Sequence, residues 1–350
     1  MSIQMGSPNN NDMYPLRFYP IFRRYLWGGR RLGEVLKKPI GDAACAESWE
    51  IVDHDADQSV VEFGALAGNS LGELVRNRGD ELLGAKIARQ VASSDLPAQL
   101  RNRFPLLLKF LDADRSLSIQ VHPDDQLAAT LDPPDLGKTE AWYVLHADPG
   151  ARIYAGLNKG ITEPTFREAI QHGFTADALH RFEPKSGDCI LIQAGTVHAI
   201  GAGILLAEIQ QCSDTTFRIF DWNRVDDQGQ PRPLHIEQGV RAIDFQRGPV
   251  QPMPPQPADR QDCVTLVECD KFAMRKWSLI EPHQTVSVGG DDRFRILAVT
   301  RGSAIVENDP SGLPLALGQT MLLPAAIGRT GVSTNGACDF LEIYIPDTSS

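Results

Sequence analysis

Short apolar segments recur along nearly the whole chain, and Gly, Pro or Asp ends each one before a long helix could form. Leu106 to Leu111, Ser116 to Val121, Trp142 to His146, Arg152 to Ala155, Asp188 to Gln193, Leu205 to Gln210 and Phe217 to Trp222 all have this form. Runs of this length, bounded by turn residues, read as β-strands. With 30 Gly and 24 Pro among 350 residues, turns are abundant. The pattern predicts a mainly β chain built as antiparallel barrels or jelly rolls.

Two helical stretches interrupt it. Over residues 70–92, Leu71, Leu74, Val75, Leu82, Leu83, Ile87 and Val91 fall near one helix face, and Ser70 with Glu73 forms a capping-box pair. Thr162, Pro164 and Gly173 punctuate a second helix near 164–172. The segment 251–260 is Pro-rich and reads as a stiff linker between a unit over 14–250 and a second one over 261–346. Residues 1–13 are polar and Asn-rich and read as a loose arm. The two units share an echo. Gly187 to Ala194 and Gly318 to Ala325 each run Gly, polar residue, apolar stretch, small residue, as expected if one barrel type is used twice.

The net charge of −11 argues against a nucleic-acid surface or a polybasic membrane anchor, but not against an anionic small molecule held by a few local cations. No apolar run approaches a membrane span and no leader pattern is visible. The six Cys, at 45, 189, 212, 263, 269 and 338, form no CxxC and read as free thiols of a cytoplasmic protein.

Chemistry concentrates in the first unit. In Ser118-Ile119-Gln120-Val121-His122, strand alternation sends Ser118, Gln120 and His122 to one side and the apolar pair to the other. Glu140 opens the strand 18 residues later, and Gly195 delivers His198 to the start of another; the second echo copy has no such His. Taken singly, each reads as readily as an ordinary strand or surface residue. Together, Gln120, His122, Glu140 and His198 offer two imidazoles, a carboxylate and an amide oxygen. That set suits a divalent metal with open positions, zinc ahead of magnesium or calcium.

Gly187 to His198 is similar to the second cupin motif, with Gln193 where that motif has Pro. More specifically, the chain resembles the type I mannose-6-phosphate isomerases in their short bacterial form. The resemblance rests on Tyr25-Leu26-Trp27-Gly28-Gly29, Ala46-Glu47-Ser48-Trp49, Leu117 to Asp124, Gly137-Lys138-Thr139-Glu140-Ala141-Trp142, Ala194 to Ala199 and Ser213 to Arg218, in family order over about residues 14–225. It implies two cupin-like jelly-roll barrels with a small helical insertion. It also implies one Zn²⁺ per chain on Gln120, His122, Glu140 and His198, and no metal in the second barrel.

The activity implied is interconversion of mannose 6-phosphate and fructose 6-phosphate through a cis-enediolate. Arg218 matches the family's active-site arginine. Ser118, Lys109 and Lys138 match as phosphate partners; Lys109 also interrupts an apolar run, so its ammonium needs an anion. Glu208 is a candidate proton carrier, with a metal-bound water as the alternative, and Glu47 and Trp27 are expected to shape the cavity. The partner expected is a phosphorylated hexose, with no nucleic acid or membrane, for a monomer or weak homo-oligomer. Two other readings fit less well. An oxidative cupin usually shows more His than the two here, and a non-catalytic sugar-binding cupin would have no need of both Glu140 and His198.

Overall fold

The computed structural model describes residues 13–93, 95–225 and 228–347, so the polar arm, apart from Met13, lies outside the described residues. The chain is mainly β. Its first part pairs a six-stranded antiparallel sheet, in spatial order Ile21–Arg23, Glu47–Ile51, Leu106–Ala113, Ile204–Gln211, Glu140–Ala147 and Cys189–Ile192, with a five-stranded one. The latter runs Phe217–Phe220, Ile119–Val121, His198–Ile200, Ile153–Leu157 and Leu179–Phe182. The later part repeats the plan. Gln256–Pro257, Cys263–Glu268, Ala273–Leu279, Cys338–Tyr344, Arg295–Arg301 and Thr320–Leu323 form six strands. Thr285–Gly289, Arg329–Ser333, Ser303–Val306 and Leu315–Ala316 form four. Each ladder ends at edge strands, so the sheets are open and no closed barrel forms among the described residues.

Strand alternation explains why the apolar runs are continuous. Leu106, Leu108 and Phe110 face outward into a core shared with Leu266, Met274, Ile296, Ala298, Leu341 and Ile343, so the two six-stranded sheets pack back to back. Leu111 faces the opposite way, against the five-stranded sheet, and Lys109 lies on that same inner face. Both faces are buried, and the one charge in the run points inward.

The helical insertion closes the shared core with Leu71, Leu74, Val75, Leu82, Leu83 and Ile87. The capping box forms: Ser70 Oγ accepts from Glu73 N–H, and Glu73 accepts from Ser70 N–H. The expected single stretch divides into Leu71–Leu83, itself kinked at Arg78, and Ala85–Val91, separated at Gly84. Gly84 sits at φ +90° with its Cα against the Asp292 backbone, where no Cβ fits. Near 164–172 the helix is Glu163–Gln171, capped by Thr162. The Pro-rich segment is anchored at both ends: Met253 bridges Cys189 of the first large sheet, and Gln256–Pro257 pairs with Val264 and Thr265 of the second.

The echo has a structural meaning. Cys189–Ile192 and Thr320–Leu323 are both the last strand of a six-stranded sheet, each preceded by a glycine at positive φ, Gly187 at +94° and Gly318 at +78°. Matching the two sheets along their registers makes Glu140 equivalent to Arg295, Glu208 to Glu342, and Lys109 to Arg275.

Candidate metal centre and active site

Three strands bring the predicted ligands together. His198 is in register with Gln120 on the neighbouring strand, and Gly195 N–H donates to the His122 carbonyl at 2.9 Å, tying the turn before His198 to His122. From the facing sheet, Glu140 reaches both imidazoles: Oε2 is 3.4 Å from His122 Nε2, and Oε1 is 3.4 Å from His198 Nε2. One ligand atom from each of these three residues lies within 4.8 Å of the other two, and all three are buried.

Both imidazoles are held from behind. His122 Nδ1 donates to the Thr215 carbonyl at 3.0 Å, and His198 Nδ1 donates to the Thr196 carbonyl at 2.9 Å. A carbonyl only accepts, so each Nδ1 carries the hydrogen and each Nε2 presents its lone pair to the cluster. Burial and the Lys138 charge push the His122 pKa down to about 3, and burial lowers that of His198, so both rings are neutral at neutral pH. Burial works to raise the Glu140 carboxyl, but the Lys138 ammonium beside it outweighs that and holds it well below the usual carboxylate range. Two neutral imidazoles and one ionised carboxylate are the protonation states that a divalent cation needs. The Gln120 amide sits beside them, its Nε2 3.3 Å from His198 Nε2 while Oε1 accepts from Ser118 at 3.2 Å. A half-turn of that amide would offer its oxygen as a fourth ligand.

The cluster borders a cavity of about 280 Å³ whose apolar wall includes Trp27, Leu111, Leu117, Trp142 and Ile200. Glu208 is buried in it. Trp142 Nε1 donates to Glu208 Oε2 at 3.0 Å, and Lys109 Nζ lies 3.2 Å from Oε1, outside hydrogen-bonding geometry. Burial and the nearby Glu140 charge push the Glu208 pKa up to about 6, against the pull of Lys109 and Lys138.

The cations expected to meet phosphate sit among carboxylates. Lys109 lies between Glu208 and Glu47, the latter 3.7 Å away; burial pulls its pKa down, but these charges hold it raised. Lys138 Nζ donates to Glu140 Oε2 at 2.8 Å and lies 3.0 Å from His122 Nε2. Ser118 lines the cavity beside Gln120.

Arg218 lines the cavity opposite, in register with Gln120, and has no ion pair among the described residues. Its Nη1 donates to the Pro233 carbonyl at 3.0 Å, and its Nε is buried without a hydrogen-bond partner. Burial and the neighbouring Arg232 lower its pKa. Sequence reasoning missed Arg232, which reaches the cavity from a polar stretch with no motif and pairs with Asp221 at 2.6 Å. Arg224 pairs with the same carboxylate.

Residues 16–158 match the family described as phosphomannose isomerase type I, catalytic domain. Mannose-6-phosphate isomerase ManA of Bacillus subtilis (strain 168) is 33% identical over 326 residues, which cover 93% of this chain and 97% of that protein. The chain belongs to the type I mannose-6-phosphate isomerase family. The mannose-6-phosphate isomerase of Streptococcus mutans serotype c is also 33% identical, over 89% of this chain and 93% of its own length. Among solved structures, the mannose 6-phosphate isomerase from B. subtilis superposes with a TM-score of 0.82 at 30% identity, covering 95% of this chain and 100% of that one. These relatives thus match the chain well beyond the cavity, through both sheet pairs.

Proposed function

We propose that this chain interconverts mannose 6-phosphate and fructose 6-phosphate with one zinc ion held by Gln120, His122, Glu140 and His198. The observation that carries the reading is the buried His122–Glu140–His198 cluster, whose Glu140 lines a cavity that also holds Glu208 and Arg218. Two imidazoles favour zinc over the hard cations that prefer oxygen ligands. We read the halves as two cupin-like jelly rolls, a catalytic unit over 14–250 and a second unit over 261–346.

A bound zinc ion would act as a Lewis acid toward the sugar's carbonyl and hydroxyl oxygens. The rest falls to the chain. Glu208, with a pKa near 6, is matched to taking a proton from one carbon and returning it to the next, which passes the sugar through a cis-enediolate. Trp142 fixes one carboxylate oxygen, while Oε1, ion-paired with Lys109 but accepting no hydrogen bond, is the oxygen that would exchange the proton. Arg218, which pairs with no carboxylate among the described residues, stabilises the developing oxyanion. Lys109 and Lys138 are already engaged by Glu47, Glu208 and Glu140, so the cations left for a phosphate dianion are the arginines near Asp221. Arg218 and Arg232 line the cavity together with Asp214, and Arg232 and Arg224 share the carboxylate of Asp221. Ser118 adds a hydroxyl donor.

The test is metal analysis of the purified chain followed by a coupled isomerase assay. Expected are about one zinc per chain and fructose 6-phosphate formed from mannose 6-phosphate, lost with a chelator and restored by zinc. No conversion with any divalent metal would reject the reading.

A further inference from the structure

We propose that Asp135 is a positioning residue for the metal ligand His122, acting through the turn 213–215. The inference rests on the reading of His122 as a ligand. One carboxylate oxygen gathers that turn: Asp135 Oδ2 accepts from Thr215 Oγ1 at 2.7 Å, from Ser213 Oγ at 2.8 Å and from Asp214 N–H at 3.3 Å. Its other oxygen accepts from Leu136 N–H at 2.8 Å and lies 3.5 Å from His54 Nε2. Asp135 is itself buried.

The same Thr215 that gives its hydroxyl to Asp135 gives its carbonyl oxygen to His122 Nδ1. That carbonyl sets the ring's tautomer and aim, so whatever fixes the Thr215 peptide fixes the direction of the His122 lone pair. Thr215 is in an irregular segment, before the strand Phe217–Phe220 begins, and no ladder holds its peptide in place. Three donors converging on one ionised oxygen supply that rigidity, since hydrogen bonds to a charged acceptor are the strong ones. Asp135 touches neither the cavity nor the cluster, and its effect is transmitted by one residue.

The experiment compares wild type with Asp135→Asn, Thr215→Val and His198→Ala as full chains. Zinc affinity is measured by competition with a chromophoric chelator, and the visible spectrum of the cobalt-loaded protein reports ligand geometry. Amide circular dichroism selects conditions in which each variant is folded. Asp135→Asn should lose about 10–100-fold in zinc affinity, the range for outer partners of metal ligands, and shift the cobalt spectrum. Thr215→Val, which loses the hydroxyl but keeps the carbonyl, should move both readouts less and in the same direction. A merely structural role would change stability and leave both unmoved in the folded protein. Zinc affinity within about twofold of wild type in Asp135→Asn overturns the proposal; if that variant does not fold, unchanged affinity in Thr215→Val does so. His198→Ala separates the two readings. If it binds zinc as wild type does, the ligand assignment itself has failed; if it loses zinc while Asp135→Asn keeps it, only the positioning role has.

Discussion

Trp142 and Glu208 face each other across adjacent strands, and the indole Nε1 donates to the carboxylate at 3.0 Å. This bond stabilises the charged form, so it opposes the burial that raises the Glu208 pKa to about 6. If Glu208 must be ionised to accept a proton, kcat/KM should fall as pH drops through that value, or somewhat below it once a cation's charge is added. Trp142→Phe removes the donor and should move the acid limb to higher pH. A pH–rate profile checks it. An acid limb that stays put in the variant would assign it to another group.

Lys109 shows how far the sequence carries such a site and where it stops. Its position within an apolar run told that its ammonium needs an anion, but not which one. The partner, Glu208, is 99 residues away in sequence and meets it only through the register of two antiparallel strands. The four ligand candidates were legible because strand alternation and short motifs are local. Arg232 and Asp135 were not, since each meets its partners, Asp221 and the turn 213–215, only in the folded chain. The break at Gly84 is similar: helix periodicity runs through it, and the Asp292 backbone that excludes a Cβ there comes from a connection more than 200 residues later in the chain.

Asp135 should also leave a mark on stability. Burial works to raise its pKa, but bonds from His54, Thr215 and Ser213 hold it at about 2. An unfolded Asp titrates near 3.9, so the folded state binds its proton later. The stabilisation is therefore fully present above about pH 4 and fades as pH falls toward 2. Urea midpoints of wild type and Asp135→Asn should differ most at pH 5–7 and converge toward pH 2. A gap that is the same at every pH would show that its charge contributes nothing.

Arg218 and His198 should fail in different ways. Arg218→Ala removes a cation needed more in the transition state than in the ground state, so turnover should drop by about 10²-fold or more while zinc stays near one per chain. Arg218→Lys should recover only part, because a point charge does not reproduce the planar fork. His198→Ala should lose metal and activity together. Metal content and kcat on the same preparations separate the cases. Near-normal turnover in Arg218→Ala would make this residue a mere wall of the cavity.

The last expectation concerns the second large sheet, where Arg295 stands at the register position of Glu140 and Glu342 at that of Glu208. Arg295 Nε donates to Glu342 Oε1 at 2.8 Å, and Trp277 Nε1 donates to Oε2 at 2.7 Å, all within a buried interior. In the first sheet two carboxylates at these positions need cations to sit together; in the second, the exchange of one for arginine supplies that cation from the chain itself. Breaking such a pair strands a buried charge, so Arg295→Met should destabilise the fold by about 3–5 kcal/mol. Adding Glu342→Gln removes the stranded charge and keeps an acceptor for Trp277, so the double variant should be more stable than Arg295→Met alone. Denaturant unfolding of the four proteins completes the cycle. Additive losses would mean that the two side chains are not coupled, and that the arginine is held for its contacts with Asp291 and the Tyr344 ring instead.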